Sequence, residues 1–233
     1  MGMHALLDGL AWLTTALAVV VLRRWRGGLF ASPGRPSPGY LAAVAIGGAT
    51  GAYLLGSLNA ALMGYPGLSR SIEGALAGAI LGVEIYKWRT GLTGRTAALF
   101  ALPLALGIAV GRVGCYLSGL DDLTYGTPTS LPWGHDFGDG VLRHPVQLYE
   151  SAAMLVFAVV YLVALWRRQA FVVAQGFALF VLYYAAQRFG LEYLKPYPDI
   201  LPGLSVFQVV CIGLVVYALV ILRSTRLPDA RHA

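Results

Sequence analysis

An arginine, Arg112, interrupts an apolar run. The adjacent carboxylates Asp121 and Asp122 follow, then a Gly/Pro-rich loop and the block Arg143-His144-Pro145-Val146-Gln147-Leu148-Tyr149-Glu150. A second arginine, Arg188, lies in another apolar run with Tyr184 and Glu192 four residues to either side, so the three share one helix face. An arginine in sequence of this kind is costly and marks a functional site by default. Its planar, permanently charged fork suits phosphate. Arg112 and Arg188 therefore read as a clamp for the phosphate of a phospholipid headgroup. The plainer reading is an Arg188–Glu192 pair that neutralises itself locally.

Phosphate leaves as an anion in any displacement at the neighbouring carbon, and fixed donors aimed at that charge are the main requirement. An attacking thiol, with an ordinary pKa of about 8.5, gains from a nearby base. Arginine cannot serve as that base. Glu73, His144 and the Asp121/Asp122 pair can. His144 stands before Pro145, a residue suited to the first turn of a helix, so a structural role weighs equally for it. Gln147 and Glu150, three apart, face one way and can orient neighbouring groups. Cys115 reads as a small buried residue. The four histidines do not cluster with the two cysteines, and no spacing suggests a metal site or a disulfide framework.

The elements that must hold these groups are membrane helices. The chain of 233 residues is 58% hydrophobic and 12% charged, with mean hydropathy +0.67, whereas soluble chains are roughly 25% charged. Continuous apolar runs of near 20 residues fit bilayer-spanning helices and exclude a β-barrel, which needs short alternating segments. The reading is a single all-α, polytopic membrane domain over residues 1–233. Seven transmembrane helices are expected near residues 5–22, 40–63, 72–88, 96–117, 146–166, 171–194 and 204–222. In the third, Gly74, Gly78 and Gly82 recur every four residues, which allows a neighbouring helix to approach closely.

The net charge of +6 does not call for nucleic acid, because its distribution follows the membrane. With the N-terminus outside and the C-terminus inside, the inner loops hold Arg23, Arg24, Arg26, Arg35, Lys87, Arg89, Arg95, Arg167, Arg168, Arg223, Arg226 and Arg231. The outer loops hold only Arg70, Arg143 and Lys195. That asymmetry obeys the positive-inside rule. Residues 118–145 then form an outside-facing active-site loop. Glu73, Arg112, the 143–150 block, Arg188 and Glu192 all fall near the outer leaflet.

The motifs also resemble a family. Gly111-Arg112-x-Gly114, Tyr116, Gly119, an acid and then Gly126 look like the signature of the bacterial prolipoprotein diacylglyceryl transferases. The 143–150 block is similar almost letter for letter. Tyr184, Arg188, Glu192, Lys195 and Asp199 resemble the family's sixth-helix motif, which ends Arg-x-Pro-Asp in many members, and Leu204-Ser205-x-x-Gln208 resembles the start of its last helix. The resemblance covers roughly residues 70–222. It implies transfer of the diacylglyceryl group of phosphatidylglycerol to the cysteine thiol of a lipoprotein precursor, with release of glycerol phosphate, in the bacterial cytoplasmic (inner) membrane and without a cofactor. Arg112 and Arg188 fall on the family's essential arginines; Tyr184, Gly126 and His144 fall on motif residues. Departures are Glu73-Gly74-Ala75 where the family carries His-Gly-Gly, which makes Glu73, at the position of the family histidine, the preferred candidate for the base; Cys115 and Ser118 in place of asparagines; and Leu120-Asp121-Asp122 near a family glutamate. They leave room for a related transferase with another acceptor or donor. A lipid-binding or lipid-moving protein, and less readily a small-anion transporter, are the rivals from other classes.

Overall fold

A computed structural model of the chain describes residues 2–30, 37–65, 67–93 and 97–224. Arg35, Arg95, Arg226 and Arg231 of the charge argument lie outside the described residues. The protein is an all-α, polytopic membrane protein. Its helices are α1 (Gly2–Arg26), α2 (Pro38–Leu62), α3 (Ile72–Thr90), α4 (Ala101–Leu117), α5 (Val146–Trp166), α6 (Ala170–Glu192) and α7 (Val206–Arg223). All but α3 are long and apolar enough to cross a membrane. The third helix departs from its apolar neighbours because it carries Glu73, Glu84, Lys87 and Arg89.

What α3 lacks in apolarity it gains in contact with α2. Cβ atoms added at Gly51 and Gly78 would lie 2.1 Å from the Gly74 carbonyl oxygen and 2.2 Å from that of Gly47. Backbone thus lies on backbone, as the four-residue glycine spacing predicts. Ser71 caps α3 by accepting from the Gly74 amide at 3.1 Å, and its own amide donates to the Ala52 carbonyl of α2 at 3.0 Å. A salt bridge of 3.2 Å from Arg70 to Asp8 ties this hairpin to α1.

The core is built from α4, α5, α6 and α7, with Met154, Leu165, Phe180 and Val181 fully buried among them. Helix α1 lies along α4, where Gly107 and Gly114 admit Thr15 and Leu7. Its outer residues, such as Trp12, Leu13 and Leu17, are exposed, as suits a surface that meets lipid.

The connection from α4 to α5 is ordered by its own hydrogen bonds. Two short antiparallel strands, β1 (His135–Asp136) and β2 (Leu142–Arg143), form a hairpin. It closes where the Asp136 carboxylate accepts from the amides of Gly138, Asp139 and Gly140 at 2.8, 3.1 and 3.0 Å. A second small hairpin, β3 (Asp199–Leu201) with β4 (Leu204–Ser205), joins α6 to α7. The two connections are pinned together. Thr127 donates its amide to the Leu194 carbonyl at 2.7 Å, and the Tyr197 hydroxyl donates to the Leu123 carbonyl at 2.8 Å. Leu123 takes a left-handed conformation (φ 57°), uncommon for a leucine.

Candidate active site

The ionisable groups gather at the end of the bundle that carries the 118–145 connection. Glu73 comes from the start of α3, Arg112 from the end of α4, Glu150 from the first turns of α5, and Arg188 and Glu192 from the end of α6. Arg188 is the hub. Its Nε donates to Glu73 Oε2 at 3.2 Å, its Nη1 to Glu150 Oε1, and its Nη2 pairs with Glu192 Oε2 at 3.0 Å. The face of its guanidinium lies 4.9 Å from the centre of the Phe207 ring. Arg112 Nε reaches the other oxygen of Glu150, Oε2, at 2.7 Å. The two arginines therefore meet through one carboxylate.

Lys195, just beyond α6, closes the group: its Nζ donates to Glu150 Oε1 at 3.0 Å. Three cations face three carboxylates, and all six side chains are at most 8% exposed. Burial, reinforced by the charge of Arg188, pushes the Lys195 ammonium down to about 8. Ser205 begins α7 with a capping box shared with Gln208, and its hydroxyl also donates to Glu192 Oε1 at 2.9 Å. Cys211, two turns into α7, donates its thiol to Glu73 Oε1 at 3.3 Å. Tyr184 stands within the electrostatic reach of Glu73, Arg112, Arg188 and Glu150.

The structure thus brings together Arg112, Arg188, Glu73, Glu150, Glu192 and Tyr184 of the residues singled out from sequence. The self-neutralising Arg188–Glu192 pair is present but is one arm of three. His144 and Tyr149 form a second, half-buried group, in which the Tyr149 hydroxyl accepts from Trp133 Nε1 at 2.7 Å and lies 3.5 Å from His144 Nδ1. Gly126 sits beneath them: a Cβ there would fall 2.4 Å from the His144 carbonyl oxygen and 2.8 Å from Val146. Asp122 bonds Thr124 at 2.5 Å and approaches Cys115, toward which Arg112 also turns its Nη1 at 4.0 Å. Asp121 is exposed and is in none of the network's ion pairs. Lys195, Ser205, Phe207 and Cys211 were not chosen from sequence as site residues; of these Lys195 and Ser205 carried a signal, as parts of the sixth-helix and last-helix motifs.

A family model for prolipoprotein diacylglyceryl transferase matches residues 44–223, which includes every member of this network. The chain belongs to the prolipoprotein diacylglyceryl transferase family. Among similar proteins of the family, the phosphatidylglycerol–prolipoprotein diacylglyceryl transferase of Azoarcus sp. (strain BH72) is 32% identical over 173 residues, covering 69% of this chain and 63% of its own length. The same-named protein of Nitratidesulfovibrio vulgaris (strain DP4) is 34% identical over 166 residues, 66% of this chain and 60% of its own. That of Solidesulfovibrio magneticus is 32% identical over 204 residues, 80% and 74% of the two chains. The match spans less than two thirds of the length of the first two of these relatives. No solved structure matches the chain. The buried network of three cations and three carboxylates lies wholly within the residues that the family model matches.

Proposed function

We propose that the protein transfers the diacylglyceryl group of phosphatidylglycerol to the thiol of a lipoprotein-precursor cysteine and releases glycerol phosphate. The observation that carries this reading is the meeting of Arg112 and Arg188 at Glu150 within a buried network of a family member. In the reaction, sulfur bonds to the glycerol carbon, the bond from that carbon to the phosphate oxygen breaks, and the phosphate keeps the electron pair. Arg112 and Arg188 neutralise that charge. Glu73 takes the thiol proton. It is the carboxylate held by one guanidinium nitrogen and a neutral thiol, whereas Glu150 is held by three cations. His144, with Tyr149, positions the start of α5, and Gly126 lets the connecting loop lie flat against it. Glu192, Gln147 and Tyr184 complete the substrate pocket. Asp121 and Asp122 lie where an arriving acceptor meets the loop.

The protein sits in the bacterial cytoplasmic membrane with seven spans, its N-terminus outside and its C-terminus inside. Residues 118–145 face outward beside the outer leaflet, from which the lipid is drawn. Glu84 and Lys87 of α3, 3.1 Å apart, and the basic ends of α1, α3 and α7 then lie inside, in keeping with the positive-inside rule.

A second reading is a protein that holds the lipid without breaking it, or a transferase with another donor or acceptor. It is favoured by the engagement of both arginines with carboxylates, which leaves less to stabilise the charge that develops as phosphate departs than two unpaired arginines would. One experiment separates these. Membranes containing the protein are incubated with labelled phosphatidylglycerol and a peptide bearing the acceptor cysteine, and products are resolved by mass. Lipid on the peptide with release of glycerol phosphate, abolished in Arg112→Ala, is the expected result. Intact lipid recovered bound to wild type, with no glycerol phosphate, would establish the holding reading instead.

A further inference from the structure

Two polar groups beside the network take no part in it. Gln147 is fully buried, and neither its amide nitrogen nor its amide oxygen has a hydrogen-bond partner among the described residues. The Tyr184 hydroxyl is likewise buried and unpartnered. Buried polar groups are nearly always paired, and an unpaired one is costly. The two flank the charges from opposite sides. Gln147 precedes Glu150 on α5, so it lies about 4.5 Å nearer the loop end of the bundle at 1.5 Å per residue. Tyr184 precedes Arg188 on α6, which runs the other way, so it lies about 6 Å deeper.

A phosphodiester held at the arginines has two neutral flanks. The diacylglycerol side lies toward the apolar interior, and the headgroup side points to the loop end. We infer that Gln147 reads the headgroup: its amide exchanges hydrogen bonds with the hydroxyls of a polyol attached to the phosphate that Arg112 and Arg188 hold. This rests on the phospholipid reading above and adds the residue that selects among phospholipids. A carboxamide carries both a donor and an acceptor, and so does a hydroxyl. An ammonium headgroup leaves the amide nitrogen without an acceptor, and a simple alkyl headgroup leaves both amide atoms unpaired. Sites built to hydrogen-bond a hydroxyl reject analogues that lack it.

The test uses the full chain in phosphatidylcholine nanodiscs, titrated with phosphatidylglycerol or with phosphatidylethanol. The two have the same charge, and only the first has headgroup hydroxyls. Wild type should prefer phosphatidylglycerol by about tenfold, the scale of one or two net hydrogen bonds. Gln147→Leu and Gln147→Met should bind the two lipids alike, at the wild-type affinity for phosphatidylethanol. Their lipid-free melting temperatures should be at or above wild type, because an unpaired buried amide is gone. A preference retained in either folded variant overturns the assignment to Gln147 alone. Loss of both lipids in folded variants makes Gln147 a structural residue and also overturns it. If wild type binds neither lipid, the phospholipid reading itself falls, and this inference with it.

Discussion

Arg112 Nε of α4 and Glu150 Oε2 of α5 stand 2.7 Å apart, and both side chains are nearly excluded from solvent. Through its other oxygen Glu150 also serves Arg188 and Lys195. One carboxylate therefore fixes the relative positions of α4, α5 and α6. Removing one partner of a buried ionic group costs more than the group's net contribution, because the charges left behind are unpaired.

Glu150→Gln leaves three cations against two carboxylates. Its expected effect is a loss of about 3–5 kcal/mol of stability, read as a lowered unfolding midpoint in detergent. Adding Lys195→Met restores the balance, and the double variant should recover part of the loss. A double variant no more stable than Glu150→Gln would show that charge balance is not what the network supplies.

Lys195 should give the site an alkaline limit. Its proton is held with an affinity near pH 8, and above that pH Glu150 keeps only its arginines. Transfer activity is thus complete below about pH 8 and falls as pH rises through it. Stability moves the other way: between about 8 and the ordinary value of 10.5 the unfolded chain carries the extra proton, so the fold is favoured as pH climbs through that range. A pH–rate profile of Lys195→Arg, whose guanidinium stays charged, should lose the alkaline limb. An unchanged midpoint would assign the limb to another group.

The α2–α3 contact makes a steric prediction. At Gly51 and Gly78 a new side chain would meet backbone oxygen at 2.1 and 2.2 Å, which only a parting of the helices can relieve. Overpacking of this kind typically costs 1–3 kcal/mol. Gly51→Val should lower the melting temperature and displace Glu73, whereas Gly213→Val on α7, with no atom within 4 Å of its Cβ position, should be nearly silent. Equal effects would count against the close contact.

At Gly126 the prediction concerns rate as well as stability. Gly126→Ala drives a methyl into the His144 carbonyl and shifts the start of α5, which carries Gln147 and Glu150. A displacement near 1 Å can cost about 100-fold in turnover. Transfer assays should show that loss alongside a lowered melting temperature from the same kind of overpacking; a variant of wild-type rate would mean that this joint does not position the site.

Much of this was legible because helix periodicity and burial cost are local properties. Arg112 and Arg188 stood out by cost alone, and the spacing of Gly74, Gly78 and Gly82 gave the face that meets α2. The spacing of Gln147 and Glu150 gave a shared face but not the neighbour it meets, so Glu150 could not be placed between the two arginines. Cys211 reads in sequence as a small hydrophobe, and only packing sets its thiol against Glu73. Lys195 falls just past a helix end, where a lysine is ordinarily solvated. The two hairpins hold two or three residues per strand, too few for any alternation to register. The charges Glu73 and Glu84 of α3 are met by Arg188 and Cys211 and by Lys87 and Tyr217, partners that hydropathy cannot see.

The glycine contact of α2 with α3 bears on sidedness. Each crossing of a bilayer reverses the face on which the following segment emerges. On the proposed seven-span reading, α3 with its four charged residues enters the bilayer packed on α2, and the two would insert as one hairpin. A chain whose α3 stayed out would thread α4 to α7 upside down. Arg112, Glu150 and Arg188 would then be delivered to the opposite leaflet, each on an intact helix and each on the wrong side. On that reading the close-packed glycines would guard the direction in which the site faces as well as the fit of two helices.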